Sequence, residues 1–266
     1  MDGTYGPRVT AEHAPVSKSI AASLALGFGI ARISIPTTWE ALWGRVDRQA
    51  CDRRLAWWGE TVVRASQARL VVRGREHLPA DKACLLMSNH PSWFDIMVLL
   101  HAVTPSLRMV TKQELFRVPI WGQALRASGF IAIDRSNRVK AIASLAQARA
   151  EILQGTPVWI APEGTRARDG RLLPFKKGGF VLALEAGIPI LPIGLAGTFE
   201  VMPKGAFAIR TGRPVGVALG PLIHPADKDR DTLMAEVRGA IEGLIAQADQ
   251  DRARGPSQPS VGPQKT

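Results

Sequence analysis

A histidine followed five positions later by an aspartate is the first pattern with catalytic potential in this sequence. The segment MSNHPSWFD, residues 87–95, ends an apolar run and opens a helical pattern, so His90 should lie at the exit of a strand and Asp95 in the first turn of a helix. A carboxylate that holds one ring nitrogen fixes the tautomer of an imidazole and stabilises the imidazolium. We therefore predict that Asp95 orients His90 and that His90 is a general base towards a hydroxyl group.

The same residues allow two other interpretations. Ser92 and Asp95 have the spacing of a capping box, in which the carboxylate only accepts backbone N–H groups at the start of a helix. His101 could join His90 and Asp95 around a metal ion, but no third ligand stands at a spacing typical of metal sites. We predict no metal site and no cofactor.

A second segment, PEGTR at residues 162–166, carries groups suited to a phosphate. Gly164 permits close approach of the backbone to a ligand, Thr165 supplies a hydroxyl, and Arg166 presents a planar pair of donors. The alternative is a surface turn with a solvated arginine. Several cations at one edge of a sheet are typical of a phosphate pocket. Such cations follow other predicted strands, at Lys112, Arg135, Lys176 and Lys177.

Strand and helix patterns alternate over most of the chain and predict an α/β fold with a mixed sheet flanked by helices. Predicted strands cover residues 68–74, 83–89, 107–112, 129–134, 157–162, 188–197 and 214–220. Predicted helices cover residues 92–103, 137–155, 177–187 and 231–249, with Gly155 and Gly187 as C-terminal caps. These elements form a domain of residues 68–250, followed by a polar tail, 251–266, that we expect to be disordered.

The segment before residue 68 differs from this domain. Residues 1–15 are predicted to be a polar tail and residues 16–67 a membrane-associated helical hairpin. Its apolar stretch 20–35 ends at Pro36, short of the roughly 20 residues that span a bilayer, so we expect it to enter one leaflet. Tryptophans beside arginines suit the headgroup layer, although they could instead be core residues. They are Trp39, Trp43, Trp57 and Trp58.

The balance of charge points to polyanionic partners. Lys and Arg outnumber Asp and Glu by 34 to 23, which favours nucleic acid, anionic lipid headgroups or phosphorylated metabolites. No helix-turn-helix, zinc-finger or RNA-recognition signature is found, so we predict no nucleic-acid partner. The two cysteines, Cys51 and Cys84, and the lack of a signal-peptide pattern fit a reducing compartment on the cytoplasmic side.

Four segments in a fixed order resemble the signature blocks of the glycerolipid acyltransferases. They are NHPSWFD (89–95), GFIAIDR (129–135), APEGTRA (161–167) and IPILPIG (188–194). By these segments the chain resembles the 1-acylglycerol-3-phosphate O-acyltransferase (lysophosphatidic acid acyltransferase) family, and the resemblance covers roughly residues 70–220. In residues 1–67 the resemblance is architectural only, because two helices precede the catalytic domain in that family.

The resemblance implies a direct transfer in which His90 deprotonates the acceptor, Asp95 orients His90, and the acceptor attacks a thioester of coenzyme A or acyl carrier protein. Arg135 and the block residues Glu163, Gly164, Thr165 and Arg166 match acceptor-binding positions. To these we add Lys112, for its charge at a strand end. Pro189 and Pro192 match the fourth block and are expected to shape the pocket. Two alanines, Ala161 and Ala167, depart from the family pattern and bear on acceptor choice.

We therefore expect transfer of a fatty acyl group to the sn-2 hydroxyl of 1-acyl-glycerol 3-phosphate, which makes phosphatidic acid for phospholipid biosynthesis. The expected place is the cytoplasmic face of the inner membrane, at a surface with anionic lipids. Another acceptor, such as a lyso-ornithine lipid, a different lysophospholipid or glycerol 3-phosphate, is the alternative within the family. A non-catalytic basic protein that binds membrane surfaces is the alternative from a different class.

Overall fold

The computed structural model describes residues 16–80, 83–104, 106–134 and 138–255 of the chain. The predicted polar tail of residues 1–15 lies outside the described residues, as do Arg135 and residues 256–266. Every predicted strand run contains an observed strand, and every predicted helical segment contains an observed helix, which confirms the α/β fold with a mixed sheet.

The elements follow the predicted order along the chain. Strands β1 to β7 are Arg69–Arg73, Leu85–Ser88, Arg108–Lys112, Ile131–Ile133, Val158–Ile160, Ile190–Ala196 and Pro214–Leu219. Helices α1 to α8 are Val16–Leu42, Arg48–Ser66, Phe94–Ala102, Trp121–Ala127, Arg138–Leu153, Gly178–Ala186, Thr198–Val201 and Arg230–Arg254. After α5 and α6 the chain turns at Gly155 and Gly187 with φ of 78° and 63°, as expected for helix C-caps.

The strands form one sheet in the order β1-β7-β6-β2-β5-β3-β4, with β2 in the middle. All described pairings are parallel except that of β6 with β7. Parallel neighbours require crossover connections, so helices cover both faces of the sheet. Strands β2, β3, β5 and β6 end at the same edge, which we call the carboxyl edge.

Alternate side chains of the strands belong to two separate hydrophobic cores. Leu86 of β2 belongs to the core under α2 and α3, whereas Leu85 and Met87 belong to the core under α5, α6 and α8. Successive side chains of a strand point to opposite faces, so a strand buried on both sides must be apolar throughout. Strand β6 meets this condition, since all of its residues are buried.

Helix α8 lies directly on the strands that it covers. A Cβ atom at Gly194 of β6 would lie 2.2 Å from the backbone carbon of Leu244, and one at Gly216 of β7 would lie 2.0 Å from the oxygen of Ala248. Glycine at these positions therefore allows contact between helix backbone and strand. The predicted tail starts too early, because α8 continues to Arg254 and buries Asp251, which pairs with Arg73 of β1.

Helices α1 and α2 form the predicted hairpin, but Pro36 does not end the first helix. Helix α1 has 27 residues and continues past Pro36 to Leu42. Proline removes one helical hydrogen bond, yet packing on both sides of it holds the helix together. On one side the Arg32 guanidinium lies 4.3 Å from the Trp57 ring, and on the other Arg54 pairs with Glu40.

The tryptophans of the hairpin divide between the two predicted roles. Trp58 is buried, and its Nε1 donates to the oxygen of Leu26 at 3.2 Å. A Cβ at Gly29 would lie 2.0 Å from the Trp58 ring, so the two helices touch there. Trp39 and Trp43 are 63% and 64% exposed.

Exposed apolar side chains continue along the outer side of α1 at helical spacing. We call them the apolar stripe, made of Ile20, Leu24, Phe28, Ile35, Trp39 and Leu42, together with Trp43 directly after the helix. Ser19–Leu42 is the one described helix segment long and apolar enough to cross a membrane, and a third of its most apolar 18 residues are buried in the protein. The apolar segment is longer than predicted because α1 continues past Pro36, and its inner side packs on α2 and α4.

Replacing Gly194 by alanine tests the helix–sheet contact. Gly194→Ala is expected to lower the free energy of unfolding by about 1–3 kcal/mol, because the added methyl group meets the backbone of α8. The matched control is Gly243→Ala within α8, where a Cβ meets nothing within 4 Å. It should be neutral or stabilise by up to about 1 kcal/mol. Urea unfolding midpoints measure both, and equal midpoints would contradict the contact.

Candidate active site

His90 lies at the centre of the carboxyl edge, because it follows β2, the middle strand of the sheet. Asp95 is in the first turn of α3 and fully buried, and its Oδ2 lies 2.8 Å from His90 Nδ1. An ionised carboxylate only accepts hydrogen bonds, so Nδ1 carries the ring proton and Nε2 keeps its lone pair. The side-chain contact expected from the sequence is present.

The capping interaction at this helix start is present as well. Asp95 Oδ2 also accepts the N–H of Ser92 at 2.9 Å. Ser92 Oγ accepts from the N–H of Phe94 at 2.9 Å and donates to the oxygen of Met202 at 2.7 Å. A backbone group thus fixes the carboxylate independently of the histidine, and Asp95 makes both of the predicted contacts.

The segment after β5 holds the backbone of His90 on both sides. The N–H of His90 donates to Glu163 Oε1 at 2.8 Å, and its carbonyl oxygen accepts from the N–H of Ala167 at 3.3 Å. The imidazole packs edge-on against Trp159, with 5.1 Å between ring centroids. Because β2 and β5 are parallel neighbours, their following segments meet at the carboxyl edge.

Glu163 supports His90 from inside the protein. Its Oε2 accepts the N–H of Leu173 at 2.8 Å, and the residue is 2% exposed. Burial raises the pKa of the Glu163 carboxyl, against the opposing effect of its two backbone hydrogen bonds. The prediction that Glu163 contacts the acceptor does not fit this geometry, since both carboxylate oxygens are engaged and the side chain does not line the cavity beside His90.

That cavity has a volume of about 320 Å³ and is mainly apolar. It lies between the hairpin, α3, α4 and strands β3 and β5, and it extends along β3 from Lys112 to Met109. Its walls include Leu55, Trp58, Met97, Leu125 and Phe130. A lining of this kind suits a hydrocarbon chain.

Cationic side chains line the same cavity. Lys112 ends β3, and the Arg166 guanidinium lies 5.7 Å from the centroid of the Trp93 ring. Burial lowers the pKa of Arg166, and the nearby charge of Asp95 opposes this shift. Arginine remains a cation under these conditions, so the rim carries a fixed positive charge.

A further cation, Lys204, is one that the sequence analysis misses. It occupies a turn in which the N–H of Ala206 donates to the oxygen of Pro203 at 3.0 Å and Gly205 has φ of 91°. Such a turn needs a residue with positive φ at its third position, which glycine supplies. Lys204 Nζ donates to the oxygen of Arg166 at 2.7 Å and to Thr165 Oγ1 at 3.3 Å.

Positive charges surround this ammonium group. Partial burial, together with repulsion from Arg168, Arg166 and Lys112, lowers the pKa of Lys204. A bound anion would relieve this repulsion, because each cation would then face an opposite charge. The rim is therefore a candidate phosphate site formed by Lys112, Arg166 and Lys204.

The remaining predicted site residues do not all reach the cavity. Thr165 lines the cavity. Gly164 does not line it; its φ is 69°, and its N–H donates to the oxygen of Ala161 at 3.0 Å. Lys176 packs over Gly164, where a Cβ would lie 3.3 Å from its Cγ. Arg135 is among the residues that the structure does not describe.

The two prolines of the fourth block do not shape this cavity. Pro189 precedes β6 at the opposite edge of the sheet, where its oxygen accepts the N–H of Leu85 at 3.0 Å. Pro192 pairs with Met87 inside the sheet, and neither proline lines the cavity. Proline donates no hydrogen bond, which agrees with antiparallel pairing of β6 to β7 that begins one residue later, at Ile193.

A metal centre has no support in the described part of the chain. Across residues 16–80, 83–104, 106–134 and 138–255, no three His, Cys, Asp or Glu side chains are grouped so that they could hold a metal ion. His101 is exposed in the last turn of α3, beyond the Asp95 end of that helix.

Comparison with known proteins agrees with this architecture. Residues 69–196 match the acyltransferase family model. A 1-acyl-sn-glycerol-3-phosphate acyltransferase of Pseudomonas aeruginosa is 37% identical over 195 residues, which cover 73% of this chain and 73% of that protein. A chloroplastic relative of the same name from Brassica napus is 35% identical over 171 residues, which cover 64% of this chain and 49% of the relative.

A solved structure has the same fold. The 1-acyl-sn-glycerophosphate acyltransferase PlsC from Thermotoga maritima matches with a TM-score of 0.69 and 24% identity, over 87% of this chain and 98% of that one. The chain spans about half the length of the first plant and algal relatives that it matches. The bacterial match over most of both sequences, in agreement with the family model, shows that the chain belongs to the 1-acyl-sn-glycerol-3-phosphate acyltransferase family.

Proposed function

We propose that this protein transfers a fatty acyl group from a thioester donor to the sn-2 hydroxyl of 1-acyl-glycerol 3-phosphate. The observation that carries the proposal is one cavity that combines three features. It has the His90–Asp95 pair beside it, an apolar interior for a hydrocarbon chain, and a cationic rim for a phosphate. The names of the relatives support the same substrate.

In the proposed reaction, Nε2 of His90 takes the proton of the acceptor hydroxyl as its oxygen attacks the thioester carbonyl. A C–O bond forms, the C–S bond breaks, and the imidazolium returns its proton to the departing thiolate. Asp95 stabilises the imidazolium through the 2.8 Å contact to Nδ1. The donor is acyl-CoA or acyl carrier protein, since both release a thiol, and no enzyme-bound acyl intermediate is required.

The cationic rim favours a phosphomonoester over the other acceptors. Lys112, Arg166 and Lys204 can together match the charge of a phosphomonoester, whereas a zwitterionic or uncharged head leaves part of that charge unopposed. A purely membrane-binding role would need neither the paired histidine nor the buried Glu163 that holds its backbone.

The apolar stripe on α1 supports action at a membrane surface. Trp39 and Trp43 lie at one end of it, and Arg45 follows Trp43 by two positions, as expected for side chains in the headgroup layer. A net charge of +11 adds attraction to anionic lipids. We propose that the protein acts at the cytoplasmic face of the inner membrane, where a lysophospholipid reaches the site without extraction into water.

His90→Ala is expected to lower transfer of a radiolabelled acyl chain from acyl-CoA to lysophosphatidic acid by about 10²–10⁴-fold, since the general base is lost. The matched control is His101→Ala, because His101 is an exposed histidine of the same region. Activity of His90→Ala within about tenfold of wild type would contradict the assigned base. Activity with a different lysolipid alone would support the mechanism and contradict the proposed acceptor.

Glu163→Gln distinguishes support of His90 from contact with the acceptor. A carboxamide has one acceptor oxygen, so one of the two backbone N–H groups would lose its partner. We expect kcat to fall roughly tenfold, with the acceptor KM nearly unchanged. Glu185→Gln, at an exposed carboxylate of α6, is the control. A raised KM at unchanged kcat would instead favour direct acceptor binding.

Lys204→Met removes one rim cation and keeps the aliphatic stem. The KM for lysophosphatidic acid is expected to rise about 10- to 100-fold, the effect of losing one hydrogen bond to a charged group. Lys228→Met, at a lysine paired with Glu236 away from the cavity, should leave KM unchanged. Equal KM values for the two variants would remove Lys204 from the phosphate site.

A further inference from the structure

The loop between α7 and β7 carries the most exposed large apolar side chain of the described chain. Phe207 is 91% exposed, more than any residue of the apolar stripe. Three positions earlier, the same loop supplies Lys204 to the rim of the cavity. Leaving a phenylalanine in water gains nothing from the hydrophobic effect, so its full exposure points to a surface that covers it.

This loop is firmly held at its base. The N–H of Arg210 donates to the oxygen of Val201 at 2.9 Å, and Ile209 is fully buried. On the other side, Met202 accepts the hydroxyl of Ser92, which lies two residues from His90. Phe207 therefore projects from a fixed base that is connected to the catalytic pair.

The base of the loop is also hydrogen-bonded to α1. Ser19 Oγ donates to the oxygen of Ile209, and the N–H of Ile209 donates to Ser23 Oγ at 3.0 Å. The next residues on α1, Ile20 and Leu24, are 54% and 67% exposed and begin the apolar stripe. Phe207 thus belongs to a loop that is hydrogen-bonded to one end of the stripe. The exposed Arg210 is three positions later in the chain, and the exposed Arg168 is close enough to repel Lys204 of the same loop.

We propose that Phe207 inserts into a bilayer with anionic headgroups, as a membrane contact separate from the hairpin. This inference rests on the proposed action at a membrane surface. Continuity with the apolar stripe and the neighbouring cations favour a lipid surface over a protein partner. Insertion of Phe207 sets Lys204 at the depth of the headgroups, where the phosphate of a membrane-bound acceptor lies.

A fluorescent label at residue 207 tests insertion without reference to activity. Cys51 and Cys84 are buried, so Phe207→Cys provides an exposed thiol for an environment-sensitive probe, and wild type carried through labelling gives the background. Leu153→Cys is the matched control, since Leu153 is a 60% exposed apolar residue at the end of α5, on the other face of the sheet. The vesicles contain equal parts of phosphatidylglycerol and phosphatidylcholine, with or without brominated acyl chains.

We expect a blue shift and bromine quenching for the probe at 207 and neither for the probe at 153. Vesicles that bind the protein without quenching at 207 would overturn the inference and leave the membrane proposal standing. A shift at 207 that needs no vesicles would indicate a second copy of the chain and also overturn it. Failure of the protein to bind these vesicles would overturn both the insertion of Phe207 and the proposed action at a membrane surface.

Vesicle partitioning of unlabelled variants provides the second measurement. Phe207→Ser should lower the partition coefficient roughly tenfold, the effect of withdrawing one large apolar side chain from lipid, and Phe207→Leu should largely restore it. Phe207→Ser should raise KM for lysophosphatidic acid in vesicles and not for a short-chain, water-soluble analogue. Equal loss with both acceptors would indicate a structural defect and contradict the inference.

Discussion

The carboxylate of Glu163 accepts the backbone N–H groups of His90 and Leu173 from a position with 2% exposure. Parallel strands bring the segments after β2 and β5 to one edge, but adjacency of the strands alone leaves the positions of the following loops free. The buried carboxylate removes that freedom, because neither N–H has an alternative partner in an apolar interior. General-base catalysis depends on hydrogen-bond distances, so this interaction sets the precision of the site.

This arrangement has a cost in stability. Because burial raises the pKa of Glu163 in the folded protein above its unfolded value, the folded state holds the proton to higher pH. Its contribution to stability therefore falls as the pH rises between those two pKa values. Above this window the charged form is retained by two backbone hydrogen bonds. A carboxylate whose ionisation is opposed by burial, yet which positions the histidine, is typical of a functional site.

Local patterns predicted the fold and the contact between His90 and Asp95, while contacts between distant segments escaped prediction. His90 and Asp95 are joined across one strand–helix junction, so their spacing was sufficient. The engagement of Glu163 Oε2 depends on Leu173, which is ten positions away in the sequence. The position of Lys204 depends on the loop between α7 and β7, which brings it to Arg166. Lys112 stands at the end of a predicted strand, whereas the short helix α7 separates Lys204 from the strand before it. The strand pattern therefore does not indicate that Lys204 reaches the same edge of the sheet. The prediction that the apolar stretch ends at Pro36 was wrong, because tertiary packing overrides the local preference of proline.

The hairpin forms one wall of the cavity beside His90 and also carries the apolar stripe that we propose to contact the membrane. Ile33, Leu55 and Trp58 line the cavity on one side, and Met109 and Phe130 line it on the other. Removing the hairpin would therefore expose the cavity and the core beneath α2 to water. Loss of activity after such a deletion cannot be assigned to loss of membrane binding. Phe207 and the apolar stripe lie outside both the cavity and the core, so substitutions there separate binding to lipid from integrity of the acyl pocket.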